Sequence, residues 1–213
     1  AGALEKNLDA FRNQSADILI GTQMVAKGHD FPKVTLVGII CADSSLGFPD
    51  FRAAEKTFQL ITQVAGRAGR GDRPGHVIIQ TFQPNHFALE CAIDHDDDKF
   101  YELEAASREK TNYPPFSRLG VIRVESLDEK KVEEVSRRLG QLARSLSQQY
   151  STSIRGPVAA PIEKIKGKHR KLMLILAPKP ALLVANMRSL QKSLKSVPSS
   201  VDVIYDVDAH DLL

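Results

Sequence analysis

Apolar positions in the first half of the chain alternate between helical spacing and short continuous runs. Helical spacing covers residues 4–11 and 52–67, and a polar helical pattern continues from 86 to 110. Short apolar runs typical of buried strands occupy residues 17–20, 34–41 and 77–79. This alternation predicts an α/β layered sheet. Because three strands are few for a doubly wound sheet, we expect the chain to begin partway through a domain.

A run of prolines separates this half from the next. Tyr113-Pro114-Pro115-Phe116 cannot lie inside a helix, because each proline lacks an N–H donor and restricts the residue before it. We therefore predict two domains, 1–112 and 113–213. The second shows strand, helix, strand, strand, helix and strand patterns at 118–125, 128–149, 154–162, 171–177, 180–195 and 201–207. This β-α-β-β-α-β order predicts a ferredoxin-like α+β domain.

Charge differs between the two halves. The chain has 29 Lys and Arg against 26 Asp and Glu. Residues 1–110 hold 12 basic and 16 acidic side chains, net −4, whereas 111–213 hold 17 and 10, net +7. The basic half is a candidate for phosphate contact. Two cysteines, Cys41 and Cys91, supply neither a disulfide framework nor a zinc quartet, and no apolar run reaches 18 residues. We expect a soluble cytoplasmic protein without metal or membrane partner, and interpret the acidic residues around His95 as a helix start rather than a metal site.

The segment with the most specific chemistry is Gln63-Val64-Ala65-Gly66-Arg67-Ala68-Gly69-Arg70-Gly71. Two arginines three positions apart at a helix end, with small residues between them, direct planar charged donors into one region, as phosphate binding requires. The alternative is a solvated basic helix terminus that offsets the helix dipole.

The full string Q-x-x-G-R-x-G-R resembles motif VI of superfamily 2 helicases, and residues 18–32 resemble motif V of the same enzymes. Segment 49–60, Tyr113–Phe116, Gly156-Pro157 and Gly167–Arg170 are similar to the PriA family, the bacterial primosomal replication-restart DNA helicases. Because the resemblance covers essentially the whole chain, the chain is identified as a member of that family, corresponding to its C-terminal part. The resemblance implies the end of a RecA-like lobe 2 followed by an S10-like domain.

Site roles follow from the resemblance alone. It implies that Arg70 is an arginine finger, that Arg67 contacts phosphate or links it to motif V, and that Gln63 helps to organise the site. Gly28 and Asp30 would join the nucleotide side to the DNA side. Three further residues are candidates for contact with the DNA backbone: Thr22, Gln23 and Lys27. Lys27 could equally be a solvated side chain.

ATP hydrolysis requires a phosphate-binding loop and an acidic residue for magnesium. The sequence contains no G-x-x-x-x-G-K-[ST], and Asp128-Glu129 opens a helical pattern without the rest of a DExH box. The zinc-binding cysteines of the family would lie ahead of motif V. We therefore predict that this chain neither hydrolyses ATP nor binds zinc, while the full-length protein uses ATP, Mg²⁺ and Zn²⁺.

A second candidate surface is the basic stretch 155–171. It contains one acidic residue, Glu163, and six basic residues: Arg155, Lys164, Lys166, Lys168, Arg170 and Lys171. We predict contact of Lys164, Lys166, Lys168 and Arg170 with DNA, against the alternative of a solvated turn. The resemblance implies branched, single-stranded and double-stranded DNA, the acidic tail of single-stranded-DNA-binding protein, and other primosome proteins as partners.

Three functional hypotheses remain open. The leading one is the distal part of a 3′→5′ DNA helicase that recognises stalled replication forks and initiates primosome assembly. The second is a non-enzymatic module that binds nucleic acid or partners. The third is another superfamily 2 translocase, acting on RNA.

Overall fold

The computed structural model of the chain describes residues 2–22, 31, 33–66, 74–194, 197–209 and 212. Two compact units make up the chain. The first consists of Ala1–Phe48 and Arg52–Leu103, and the second of Pro49–Phe51 and Glu104–Leu213. The chain therefore passes between the units at three peptide bonds, and the sequence-based boundary at residue 113 stays a prediction.

The first unit is a mixed α/β assembly. Its helices and strands are α1 (Gly2–Arg12), β1 (Leu36–Ile39), α2 (Ala53–Ala65), β2 (His76–Ile79) and α3 (Phe87–Asp94). A short 3-10 helix, Ala42–Ser44, follows β1, and α4 (Asp97–Thr111) begins in this unit and ends in the second. Strands β1 and β2 pair in parallel.

The core of the first unit forms where the helices cover one face of this sheet. Phe58 and Ile61, one turn apart on α2, are buried with Ile39 of β1. The Phe58 ring stacks on Phe100 of α4 with centroids 4.1 Å apart. The amphipathic pattern over 52–67 therefore predicted this helix and its buried face.

The strand predicted at residues 17–20 is wrong. These residues have no regular structure, and Ile18 and Ile20 are 77% and 90% exposed. An apolar run becomes a strand only when a neighbour supplies hydrogen-bond partners. Within the described ranges, the sheet of this unit contains β1 and β2, paired to each other. The strand predicted at 34–41 is shorter, because it ends before Cys41, an exposed residue with a left-handed backbone (φ 50°).

The second unit has the element order expected from its sequence. Its elements are β3 (Arg118–Ser126), α5 (Glu129–Tyr150), β4 (Ser153–Ile165), β5 (Lys168–Ala177), α6 (Pro180–Ser193) and β6 (Asp202–Val207). The four strands form one antiparallel sheet in the order β4-β5-β3-β6. No helix in the described ranges is long and apolar enough to cross a bilayer.

Both faces of this sheet are covered by apolar side chains. Ile122 and Val124 of β3 point toward α5 and α6. Leu119 and Val121 point to the other face, where Phe51 and Tyr113 pack against the apolar cluster. Because side chains alternate along a strand, one strand supplies both cores.

Local chemistry explains where α5 lies. The Asp128 side chain accepts hydrogen bonds from the backbone N–H groups of Lys130 and Lys131, at 3.0 and 3.3 Å, and so caps the first turn. Farther along α5, Gly140 allows close approach to Pro157, since a Cβ at Gly140 would lie 2.7 Å from the proline Cδ. The Asp128-Glu129 pair therefore has a structural role at this helix start.

Candidate nucleic-acid interface and helicase-motif residues

The basic stretch forms the tight turn between β4 and β5. Ile165 pairs with Lys168, and the two residues between them, Lys166 and Gly167, have φ values of 49° and 82°. Positive φ at both central positions matches the twist of a two-residue hairpin, and glycine adopts it without strain. The hairpin therefore presents Lys166 at its tip.

Three of the predicted DNA-contacting lysines lie together at this end of the sheet. Lys164 and Lys166 are exposed. Lys168 is partly exposed and forms an ion pair with Asp202 of β6, with Nζ and Oδ2 2.5 Å apart. The hydrogen bond to Asp202, together with its charge, raises the pKa of Lys168. Lys164 and Lys166 thus give the hairpin tip its outward-facing positive charge.

Arg170 does not belong to this surface, and its prediction as a DNA contact is corrected. Its side chain is 4% exposed. Nε donates to Glu125 Oε1 at 3.0 Å, and Nη1 donates to the carbonyl of Ile162 at 3.3 Å. A buried guanidinium needs such partners, because burial of an unpaired charge is costly. Arg170 shares a strand and a sheet face with Lys168 but lies two residues farther from the hairpin tip, where it pairs with Glu125 of β3.

Two other basic residues of the stretch are also engaged within the protein. Lys171 forms an ion pair with Glu133 of α5. The Arg155 guanidinium lies over the ring of Tyr113, 4.4 Å from its centroid, and donates to the carbonyl of Thr111. The outward-facing charge is therefore smaller than the sequence count suggests.

The helicase-motif residues fall partly within the described ranges. Gln63 is half-buried near the end of α2, and Thr22 is exposed and outside regular structure. The other candidates lie outside the described residues: Gln23, Lys27, Gly28, Asp30, Arg67 and Arg70. Their roles stay predictions. In the sequence, Gly66 and Arg67 directly follow the last residue of α2, Ala65.

Asp43 ties together the segments that follow β1 and β2, a link that sequence reasoning missed. Its Oδ1 accepts from the Thr81 hydroxyl and its Oδ2 accepts from the Phe82 N–H at 2.8 Å. These hydrogen bonds, the Thr81 bond first, lower the pKa of Asp43. Parallel α/β sheets commonly bind ligands at this carboxyl edge. Sequence spacing could not reveal this link, because Thr81 lies 38 positions after Asp43.

A stack of four side chains was also missed by sequence reasoning. Phe51 and Tyr113 lie face to face, with centroids 4.9 Å apart and planes inclined by 7°. The Arg108 guanidinium lies over the Phe51 ring, 5.2 Å from its centroid, and the Arg155 guanidinium lies over the Tyr113 ring. Phe51 and Tyr113 lie in two of the segments that resemble the PriA family, and that resemblance is the sequence signal that could have indicated them.

Two known protein families match successive parts of the chain. Residues 2–72 match the helicase conserved C-terminal domain, and residues 109–210 match the primosomal protein N C-terminal domain. The chain belongs to the PriA family. Replication restart protein PriA of Bacillus subtilis is 42% identical over 207 residues, which are 97% of this chain and 26% of that protein.

Other PriA proteins align over similar lengths. The Synechocystis protein is 39% identical over 97% of this chain and 24% of its own length. The Treponema pallidum protein is 38% identical over 100% of this chain and 32% of its own length. The chain thus spans about a quarter to a third of these relatives, which carry the name replication restart protein PriA.

Proposed function

We propose that this chain forms the C-terminal part of an ATP-dependent 3′→5′ DNA helicase that recognises stalled or branched replication forks and initiates primosome assembly. The observation that carries this proposal is the order of the two family matches, a helicase domain at 2–72 followed by a primosomal protein domain at 109–210. The PriA relatives, named for replication restart, align across both. The proposed location is the bacterial cytoplasm.

The nucleotide roles are part of this proposal. Arg70 and Arg67 would stabilise charge on the phosphates, and Gln63 would organise the same site. Gly28 and Asp30 would link that site to the DNA surface formed with Thr22, Gln23 and Lys27. Half-burial of Gln63 near the end of α2 is compatible with an organising role.

The residues of this chain do not by themselves fit ATP, magnesium or zinc. The sequence has no phosphate-binding loop with lysine and no DExH box. With two cysteines it cannot supply a cysteine quartet, and the described residues contain no group of three or more His, Cys, Asp or Glu suited to a metal. The proposed helicase would hold these groups through parts of the protein outside this sequence.

We assign the second unit to the ferredoxin-like, S10-like class. Support comes from its β-α-β-β-α-β element order and the sheet order β4-β5-β3-β6, in which the first and third strands are central. The first unit is proposed as part of a RecA-like lobe 2, supported by its helicase domain match.

A second candidate function, for the chain by itself, is non-enzymatic binding of DNA. The exposed lysines at the hairpin tip favour it, because each neutralised phosphate releases counterions and strengthens binding at low salt. The tail of single-stranded-DNA-binding protein and other primosome proteins remain proposed partners. An RNA-acting superfamily 2 translocase is the competing assignment.

Fluorescence anisotropy with a labelled forked DNA tests the binding proposal. The variant Lys164→Gln/Lys166→Gln should weaken binding and reduce the slope of log affinity against log salt by about 2, roughly 1 per phosphate contact. Lys192→Gln, at an exposed position in the last turn of α6, is the matched control and should leave the slope unchanged.

Two outcomes would contradict these proposals. Equal slopes for the hairpin double variant and the wild type would remove the hairpin from the DNA surface. Preference for a matched RNA fork over the DNA fork would favour the RNA translocase. ATP hydrolysis, assayed with and without DNA, should stay at background for this chain.

A further inference from the structure

The outer edge of β6 offers backbone hydrogen-bonding groups that β3 does not use. Within the described ranges, β6 lies at one end of its sheet and pairs with β3 along one side. The N–H of Asp208, the residue after β6, donates to the Leu119 carbonyl at 2.9 Å. Because bonded and non-bonded positions alternate along an antiparallel pair, this bond determines which residues of β6 face outward.

Every second residue counted back from Asp208 directs its N–H and C=O toward β3. These residues are Asp206, Ile204 and Asp202. The residues between them direct their N–H and C=O away from the sheet: Val203, Tyr205 and Val207. The outer edge therefore presents three backbone donors and three acceptors in strand geometry.

The two edges of this sheet differ in their protection against an added strand. At the opposite edge, β4 contains Pro157 and Pro161, and its register with β5 shifts twice. Prolines and bulges blunt an edge, because they remove donors and bend the strand. β6 contains no proline, and its pairing with β3 runs without a shift from Asp202 to Val207. The β6 edge is therefore the more regular template.

The side chains along β6 combine apolar and acidic groups. Ile204 and Val207 are 42% and 44% exposed. Ile204 lies between Asp202 and Asp206 on one face of the sheet, since side chains two positions apart share a face. Both aspartates are exposed. Asp202 pairs with Lys168, whereas Asp206 has no ion-pair partner among the described residues.

These charges favour one kind of occupant over another. If two copies of the chain joined through antiparallel β6 strands centred on Tyr205, Asp202 of one copy would lie opposite Asp208 of the other. Like charges directly opposite one another destabilise a strand pair. A strand with basic residues opposite Asp202 and Asp206 would form favourable pairs, and an apolar residue between them would cover Ile204.

We propose that the outer edge of β6 is a docking site for an extended segment of a partner protein, with basic side chains on either side of an apolar one. The segment adds a strand to the sheet. Its backbone bonds to the outward-facing groups of β6 supply affinity, and its alternating side chains supply specificity. This interaction goes beyond the proposed function, because it requires neither DNA nor nucleotide.

NMR-detected amide exchange on the 213-residue chain tests this docking with the synthetic peptide Thr-Lys-Thr-Val-Thr-Lys-Thr. Its lysines and valine fall opposite Asp206, Asp202 and Ile204, and its symmetric sequence fits the edge in either direction. In the free chain, exchange should be faster at Val203, Tyr205 and Val207 than at Ile204 and Asp206. With peptide at three times its measured Kd, exchange at the three outward-facing residues should slow about fourfold, because only the unbound quarter of the chain exchanges there.

Charge-reversal variants test the acidic side chains. Asp206→Lys should weaken binding of this peptide about threefold to tenfold, because a favourable cross-strand pair becomes a repulsive one. Glu134→Lys makes the same charge change at an exposed position of α5 and should leave the affinity unchanged. The peptide Thr-Glu-Thr-Val-Thr-Glu-Thr should bind Asp206→Lys better than wild type, which separates the loss of a charge pair from misfolding.

Three results would overturn the proposal. The first is unchanged exchange at Val203, Tyr205 and Val207 with the lysine peptide present. The second is equal protection by Lys-Lys-Thr-Thr-Val-Thr-Thr, which has the same composition and charge but lacks the alternation. The third is protection of these residues that rises with protein concentration in the absence of peptide, because a second copy of the chain would then occupy the edge.

Discussion

Phe51 lies flat against Tyr113 although 62 positions separate them in the sequence, with ring centroids 4.9 Å apart. Replacing either ring by alanine should lower the free energy of unfolding of the second unit, because the stack and one cation–π contact are lost together. In a double-mutant cycle, the two changes should couple by about 0.5–1.5 kcal/mol. Urea unfolding of the four proteins in the cycle measures this coupling, and additive losses would show that the rings contribute independently.

Arg170 and Glu125 form a buried ion pair, so removal of one partner should cost more than removal of both. Arg170→Met leaves the 16%-exposed Glu125 without its closest partner, and we expect a loss of about 3 kcal/mol in the free energy of unfolding. Arg170→Met/Glu125→Leu should recover much of that loss. Lys166→Met, at the exposed hairpin tip, should change stability by less than about 0.5 kcal/mol. Comparable effects of Arg170→Met and Lys166→Met would contradict the burial of Arg170.

Asp43 should make the first unit sensitive to acid. Hydrogen bonds from Thr81 and Phe82 lower its pKa in the folded state below its ordinary value of 3.8. The carboxylate therefore contributes stability above that ordinary value, and the contribution is lost as pH falls through the lowered pKa. Asp43→Asn should lower stability near neutral pH and weaken its decline below about pH 4, the ordinary range for this carboxyl. Thermal unfolding across pH, with exposed Asp17→Asn as control, measures this; parallel pH profiles for wild type and Asp43→Asn would refute it.

Gly140 should resist substitution although it lies within a helix. Alanine there gains about 1 kcal/mol of helix propensity. Its Cβ, however, would fall 2.7 Å from Cδ of the Pro157 ring, which is fixed to the backbone of β4. Because such overpacking costs about 1–3 kcal/mol, we expect a net decrease in the free energy of unfolding. Gln141→Ala, at the exposed neighbouring position, should not decrease it, and a stabilised Gly140→Ala variant would show that α5 and β4 can separate.

The sequence predicted the elements of the second unit closely because local signals agree there. The helix predicted at 128–149 is α5, Glu129–Tyr150, with an aspartate cap at one end and apolar residues at helical spacing along it. The strand predicted at 118–125 is β3, Arg118–Ser126. Patterning and capping depend on neighbours within a few positions, which a single sequence displays.

Predictions failed where a distant residue decides the outcome. Ile18 and Ile20 are of a residue type typical of strands, but pairing with a neighbouring strand determines whether a strand forms. Arg170 has the charge of a DNA contact, but Glu125, 45 positions earlier, holds it inside. Sequence spacing does not reveal such partners, so the number of outward-facing basic residues at the hairpin was overestimated.

The placement of Pro49–Phe51 makes the second unit discontinuous in sequence. No single cut in the chain can release this unit whole, since a fragment beginning at Glu104 leaves Phe51 behind. Such a fragment would uncover one face of Tyr113 and part of the cluster beneath it. The family match over residues 109–210 includes Tyr113 but not Phe51, which packs against it. A chimaera that replaces the terminal domain would therefore also have to keep Pro49–Phe51 matched to it, although these residues lie well upstream in the sequence.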